Sequence, residues 1–120
     1  MLKKSTTAIL EEDIITETTA NEYQNFCQSV RLPSADSEYA VLNLAGEVGE
    51  LMSLMAKARR DGRKFDYDQN IKKELGDIMW SVAIIALDNG WSLQDIIDGN
   101  IYKLAGRKAA GTLQGSGDNR

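Results

Sequence analysis

The feature that most constrains the fold is the segment KELGDIMWSVAIIAL, residues 73–87. From Ile78 onward it is apolar on every side of a helix, and Ser81 is its only polar interruption. Segments with the same 3.6-residue apolar period dominate the middle of the chain, which contains a single proline. A chain of 120 residues with this pattern is predicted to form one all-α domain.

Capping motifs delimit four predicted helices. Thr19 and Glu22 have the spacing of a capping box, Ser92 and Asp95 open a later helix, and Gly90 is placed to cap the helix before it. The helices are predicted from Thr19 through Val30 and over residues 38–60, 70–87 and 93–108, with a loop at Pro33 and a charged connection over residues 61–69. Four helices with short links predict a four-helix bundle.

The ends of the chain lack this periodicity. Residues 1–17 are interpreted as an N-terminal arm with room for one short element, and residues 18–110 as the domain itself. The glycine-rich segment 111–120 is expected to be a mobile tail.

Composition excludes several classes of function. A net charge of −4 argues against a general nucleic-acid binder, and no apolar run approaches the ~20 residues of a membrane span. A single cysteine cannot form an internal disulfide, so a soluble cytoplasmic protein is expected. The chain has no histidine, which removes Ser-His-Asp and Cys-His catalysis, histidine zinc sites and the Glu-x-x-His motif of di-iron bundles.

The second predicted helix has two distinct uncharged sides. A helical wheel predicts a core stripe on one side and a row of small residues, which would allow close approach of another helix, on the other. The small row predicts at least a dimer. The stripe comprises Val41, Leu44, Val48, Leu51, Met52 and Met55, and the small row comprises Gly46, Gly49, Ser53 and Ala56.

The third predicted helix repeats this pattern. Its predicted core stripe comprises Ile71, Leu75, Ile78, Met79, Val82 and Ala86, and its back comprises Trp80, Ala83, Ile84 and Leu87.

Each of these two helices carries an acidic pair three residues apart, Glu47 with Glu50 and Glu74 with Asp77. Neither pair has a basic partner four residues later, so the usual surface pairing is missing. A solvated face is the commoner explanation for one such pair. If the helices pack antiparallel, however, four carboxylates converge, and they must take up protons, splay apart or hold a cation. Oxygen ligands alone favour Mg²⁺, with Mn²⁺ as a substitute.

The array Glu47-x-x-Glu50, a spacer and Glu74-x-x-Asp77 resembles the MazG-like nucleotide pyrophosphohydrolases of the all-α NTP pyrophosphatase superfamily. The likeness runs through LNLAGEVGELMSLMAKARRDG and KKELGDIMWSVAIIA to NIYKLAGRKAAG, roughly residues 22–111. It implies a metal-dependent four-helix fold, assembled as a homodimer or homotetramer. It also implies hydrolysis of (d)NTPs to NMP and pyrophosphate, an activity suited to nucleotide-pool cleaning.

The resemblance assigns Glu47, Glu50, Glu74 and Asp77 as catalytic Mg²⁺ ligands. Many relatives carry a further glutamate where this chain has Gly46, which leaves the number of ions and the identity of the base open.

Basic residues provide candidate phosphate contacts. Asn100, Lys103 and Arg107 share one face of the fourth helix, where cations could neutralise a triphosphate, and the family pattern supports Asn100 and Lys103. Lys57 lies one to two turns beyond the first acidic pair. A solvated helix end is the alternative for these cations.

Three residues, Tyr23, Gln24 and Trp80, are candidate contacts to the nucleobase. Aromatic residues at helical spacing are more often part of a core. The competing hypothesis for the whole protein is a non-catalytic helical interaction module whose acids form a structural or partner-binding patch.

Overall fold

The computed structural model of the protein describes residues 17–119. These residues form four α-helices and no strand, which confirms the all-α prediction. The helices are α1 (Ala20–Ser29), α2 (Ser37–Asp61), α3 (Tyr67–Asp88) and α4 (Leu93–Ala110). None of these described helices is both long enough and apolar enough to cross a membrane. The predicted N-terminal arm lies, except for Glu17, outside the described residues.

The predicted capping motifs are present. The Thr19 hydroxyl accepts from the Glu22 N–H at 3.1 Å, and the Glu22 carboxylate accepts from the Thr19 N–H at 3.1 Å. The Ser92 hydroxyl accepts from the Asp95 N–H at 3.1 Å and opens α4. Gly90 has a φ of +78°, and the Trp91 N–H donates back to the Ala86 carbonyl at 2.9 Å, as in a Schellman motif.

The connection between α2 and α3 is shorter than predicted. Helix α3 begins at Tyr67 rather than near Asn70, and the Asn70 N–H donates to the Asp66 carbonyl at 3.0 Å. The acidic residue Asp68 lies in the first turn, where a negative charge favours the helix dipole. Residues 67–69, which were predicted to belong to a charged connection, therefore form the first turn of α3.

Helix α3 is central to the fold because it contacts each of the other three described helices. Helix α2 contacts α3 alone among them, so α2 and α4 do not meet. The single chain is therefore an open arrangement around α3.

The core is small and lies where α1, the start of α2, the second half of α3 and the start of α4 meet. Its fully buried members are small or medium-sized, so it depends on partly buried neighbours such as Tyr23 and Trp80. The buried cluster consists of Cys27, Ala40, Ala83, Ile84 and Leu93.

Four of the six residues in the predicted apolar stripe of α2 are exposed in the described chain. Val41, Val48, Met52 and Met55 are 40–55 % exposed, and only Leu44 and Leu51 are partly buried. The helical wheel could not show which uncharged side of α2 packs on α3. The edge of α2 that packs on α3 also carries Glu47 and Leu54. On α3, Leu75 and Met79 are exposed as well, while Ala83 and Ile84 of the predicted back are buried.

The row of small residues on α2 is also open in the single chain. Gly46, Gly49, Ser53 and Ala56 are exposed, and a methyl group added at either glycine would meet no atom within 4 Å. The described residues of one chain therefore cover α2 on one side and not on both as expected.

Gln24 joins α1 to the end of α3 and the start of α4. Its buried amide nitrogen donates to the Ala83 carbonyl at 2.9 Å and the Trp91 carbonyl at 3.1 Å. Its amide oxygen accepts from the Leu93 N–H at 3.0 Å. One side chain thereby satisfies three backbone groups around the core.

Replacing Gln24 with alanine should lower the free energy of unfolding by about 2–4 kcal/mol, because three backbone groups lose a partner in a buried region. Chemical denaturation followed by circular dichroism measures this difference. The matched control is Asn25→Ala, since Asn25 is exposed on the same helix. Equal stability of the two variants would contradict this role for Gln24.

Candidate metal centre and adjoining cleft

Helices α2 and α3 pack antiparallel along a polar seam. The Asn43 amide donates to the Ser81 hydroxyl at 3.0 Å, and one turn further along α2 Glu47 lies near Glu74. The pairing continues toward the connection, where Lys57 and Asn70 line the same cleft. This register brings both acidic pairs to the same part of the interface.

Three of the four predicted acids converge. Carboxylate oxygens of Glu47, Glu50 and Glu74 all lie within 4.8 Å of one another. Asp77 is exposed and stands outside this group, although its charge is close enough to raise the pKa of Glu47. The cluster is therefore built by two helices, with Asp77 at its edge.

The cluster lacks hydrogen-bond donors. The Oε2 atoms of Glu47 and Glu74 are buried, and neither has a hydrogen-bond partner in the described part of the chain. Two ionised carboxylates supply only acceptors, so their close approach favours a shared proton or a bound cation. Burial is the first cause that raises the pKa of Glu47 from 4.5 to about 7. The hydrogen bond that protonated Glu47 can donate to Glu74 is the second, and the charges of Asp77 and Glu50 follow.

These observations fit a hard divalent cation. The donors are oxygen atoms only, two of them are buried without partners, and nearby charge is negative. Magnesium is usually held in proteins by a few carboxylates, with water and substrate phosphates completing its shell. The arrangement leaves room for such ligands because the cluster opens on one side into a cleft.

The cleft lies between α2 and α3 on the side of the connecting segment and has a volume of about 280 Å³. A neighbouring cavity of about 330 Å³ shares Leu54, Lys57 and Asn70 with it and extends to the connection between the helices. The lining of the first combines acids, cations and amide: Glu50, Ser53, Leu54, Lys57, Asn70, Lys73 and Glu74.

Sequence reasoning missed Ser53, Asn70 and Lys73 as cleft residues. A spacing signal existed for two of them, because Ser53 follows Glu50 by three residues and Asn70 precedes Glu74 by four. Lys73 directly precedes Glu74, so it lies on the rim of the cleft, where spacing alone would not place it.

Comparison with known proteins places these residues in a family context. The sequence model of the MazG nucleotide pyrophosphohydrolase domain matches residues 36–111, which contain the whole cluster and cleft. The chain belongs to the MazG nucleotide pyrophosphohydrolase domain family. It is also 39 % identical over 85 residues to the Gene 37 protein of Mycobacterium phage L5, covering 68 % of this chain and 75 % of that protein. No solved structure matches the chain.

The predicted phosphate contacts of the MazG domain lie on α4, apart from the part of the carboxylate cluster that α2 carries. Helix α4 does not contact α2 in the described chain, and Asn100 and Lys103 line a separate shallow depression. Asp118 accepts from Lys103 at 3.3 Å and from Arg107 at 3.0 Å. Arg107 also donates to the Gly117 carbonyl at 3.1 Å and is only 7 % exposed.

The predicted nucleobase contacts of the MazG domain all lie at the core. Both amide hydrogens of Gln24 are used by backbone carbonyls, and the Trp80 indole donates to the Cys27 carbonyl at 3.2 Å. Tyr23 is half-buried and lies near Asp77; burial, with a hydrogen bond to Cys27, raises its pKa. Their role in substrate binding stays a prediction.

The pH dependence of stability should reveal the acidic cluster of the MazG domain. An unfolded glutamate ionises near 4.5, whereas folded Glu47 keeps its proton up to about 7. In this window the folded state binds the extra proton, so stability falls as the pH rises. Glu47→Gln should remove this loss and stabilise the metal-free protein at pH ~8 by about 1–2 kcal/mol, after allowance for solvent screening.

Thermal melting between pH ~5 and ~8 in EDTA measures this effect as a shift of several degrees. Asp98→Asn on α4 is the control, because Asp98 is exposed and lies outside the cluster. An identical pH dependence in the wild type and Glu47→Gln would be evidence against a protonated acid at this site.

Proposed function

We propose that the protein is a Mg²⁺-dependent nucleoside triphosphate pyrophosphohydrolase, which converts (d)NTPs into nucleoside monophosphate and pyrophosphate. The convergence of Glu47, Glu50 and Glu74 from two facing helices supports this proposal most directly. Membership of the MazG family gives the cluster a nucleotide as substrate.

Glu47, Glu50 and Glu74 would hold the ion, and Asp77 at the edge of the cluster is proposed as the fourth acid. A bound Mg²⁺, or Mn²⁺ in its place, would offset their charge and polarise phosphoryl oxygens. The cluster orients a water molecule toward the α-phosphorus. A P–O bond forms there, the bond to the bridging oxygen breaks, and its electron pair leaves with pyrophosphate. A carboxylate of the cluster or a neighbouring group accepts the proton of the water.

Glu74→Gln should lower turnover at least ~100-fold, because it removes one negative oxygen ligand from the centre of the cluster. Pyrophosphate release from a panel of eight common nucleotides measures turnover, and circular dichroism verifies the helix content. EDTA should abolish wild-type release, and Asp98→Asn should retain it. Unchanged turnover in Glu74→Gln would refute the assignment.

The competing function, a non-catalytic interaction module, predicts no response to metal. A metal site stabilises the folded state by RT ln(1 + [L]/Kd), so Mg²⁺ or Mn²⁺ should raise the melting temperature of the wild type. The rise should be smaller in Glu47→Gln and Asp77→Asn. A melting temperature independent of both ions would favour the module.

We also propose that the active form is a homo-oligomer, a dimer or a tetramer. The exposed apolar side chains on α2 and α3, together with the open small-residue row, provide the surface for a second copy. Among the described helices, α3 alone contacts α2.

Met52→Glu should shift the protein toward the monomer, because it adds a charge to the exposed apolar side of α2. Size-exclusion chromatography with light scattering measures the mass, and Asn25→Glu on α1 is the control. A wild-type mass of 13.3 kDa, that of one chain, would contradict self-association.

A further inference from the structure

We propose that Lys57 and Lys73 hold the leaving pyrophosphate in the cleft between α2 and α3, an inference that rests on the proposed function. The two lysines come from opposite helices and line the same cleft as Glu50 and Glu74. The cleft thus contains two acids of the proposed metal centre and two ammonium groups within one volume of about 280 Å³.

The direction of the helices brings the two ammonium groups toward each other. Side chains on a helix lean toward its N-terminus, so Lys57 on α2 leans toward Glu50. Because α3 runs antiparallel, Lys73 leans toward Asn70 and the connection between the helices. Seven residues separate Glu50 from Lys57, which is about 10 Å along the helix axis, and a lysine side chain spans much of that distance.

Neither lysine is paired with a carboxylate among residues 17–119, although Glu50 and Glu74 line the same cleft. The cations on α4 differ, since Lys103 and Arg107 both contact Asp118. The two lysines therefore place positive charge in the same cleft as Glu50 and Glu74, with no described carboxylate paired to it.

The position of these charges gives the substrate a direction. With the α-phosphate at the carboxylate cluster, the β- and γ-phosphates extend toward Lys57, Lys73 and Asn70. Two ammonium groups there stabilise the negative charge that develops on the leaving pyrophosphate. The nucleoside then extends the other way, toward Asp77, whose charge is close enough to influence the pKa of Tyr23.

Binding of pyrophosphate in the presence of Mg²⁺, measured by isothermal titration calorimetry, tests this assignment without turnover. Lys57→Gln and Lys73→Gln should each weaken binding about tenfold, the loss of one charge-assisted contact. The affinity for a nucleoside monophosphate should stay within about twofold. Lys72→Gln is the matched control, because Lys72 is exposed on the same helix and does not line the cleft.

Wild-type affinity for pyrophosphate in both cleft variants would overturn the assignment, as would a tenfold loss in Lys103→Gln alone. A separate measurement of wild-type turnover distinguishes the two proposals. Loss of pyrophosphate affinity in a protein that hydrolyses no nucleotide would support the lysine site and reject the hydrolase. Turnover of nucleotides with unaltered pyrophosphate affinity in both variants would support the hydrolase and reject the lysine site.

Discussion

The structure depends on one electrostatic constraint, which is the meeting of like-charged carboxylates where α2 packs on α3. Two charges at 4 Å repel by ~1 kcal/mol in water and ~4 kcal/mol at an effective dielectric of 20. A domain of this size has a total stability of roughly 5–15 kcal/mol. Three acids within 4.8 Å are therefore tolerated only with a proton or a cation among them. Burial raises the pKa of Glu47 first and the neighbouring carboxylates raise it further, and their negative charge also favours a cation.

The two halves of helix α3 have different roles, since one half is buried in the core and the other carries polar residues of the cleft. Its buried residues, Ser81, Ala83, Ile84 and Ala86, all lie in the second half, where α1 and α4 pack against it. Its first half has no fully buried residue and carries Asn70, Lys73 and Glu74 into the cleft. Burial of the apolar half holds the helix in place while the other half carries unfavourable charge. This division explains why two acids directly precede the long apolar run of the sequence.

Local features of this fold were predictable from the sequence, and relations between helices were less so. Thr19 and Ser92 cap helices through bonds within four residues, so their spacing alone was sufficient. The wheel of α2 showed two uncharged sides, but the choice between them depends on α3 and on surfaces beyond one chain. Gln24 was interpreted as a nucleobase contact because its three backbone partners are 59 or more residues away in sequence.

The residues of the candidate site were also predictable only where their spacing within one helix was informative. Glu47, Glu50 and Glu74 were identified because identical spacing on two apolar helices is visible in the sequence, and their convergence needed only antiparallel packing. Lys73 was not identified, because its importance comes from the lysine across the cleft and not from any spacing on its own helix.

The charges along the cleft between α2 and α3 favour a substrate with positive charge at one end and negative charge at the other. The carboxylate cluster repels a bare polyphosphate, whereas Lys57 and Lys73 repel a free cation. A polyphosphate that carries a divalent cation at one end matches both, since its cation faces the acids and its free phosphate charge faces the lysines. Selection for this combined ligand needs no conformational change, because complementary charges are fixed on two helices packed side by side.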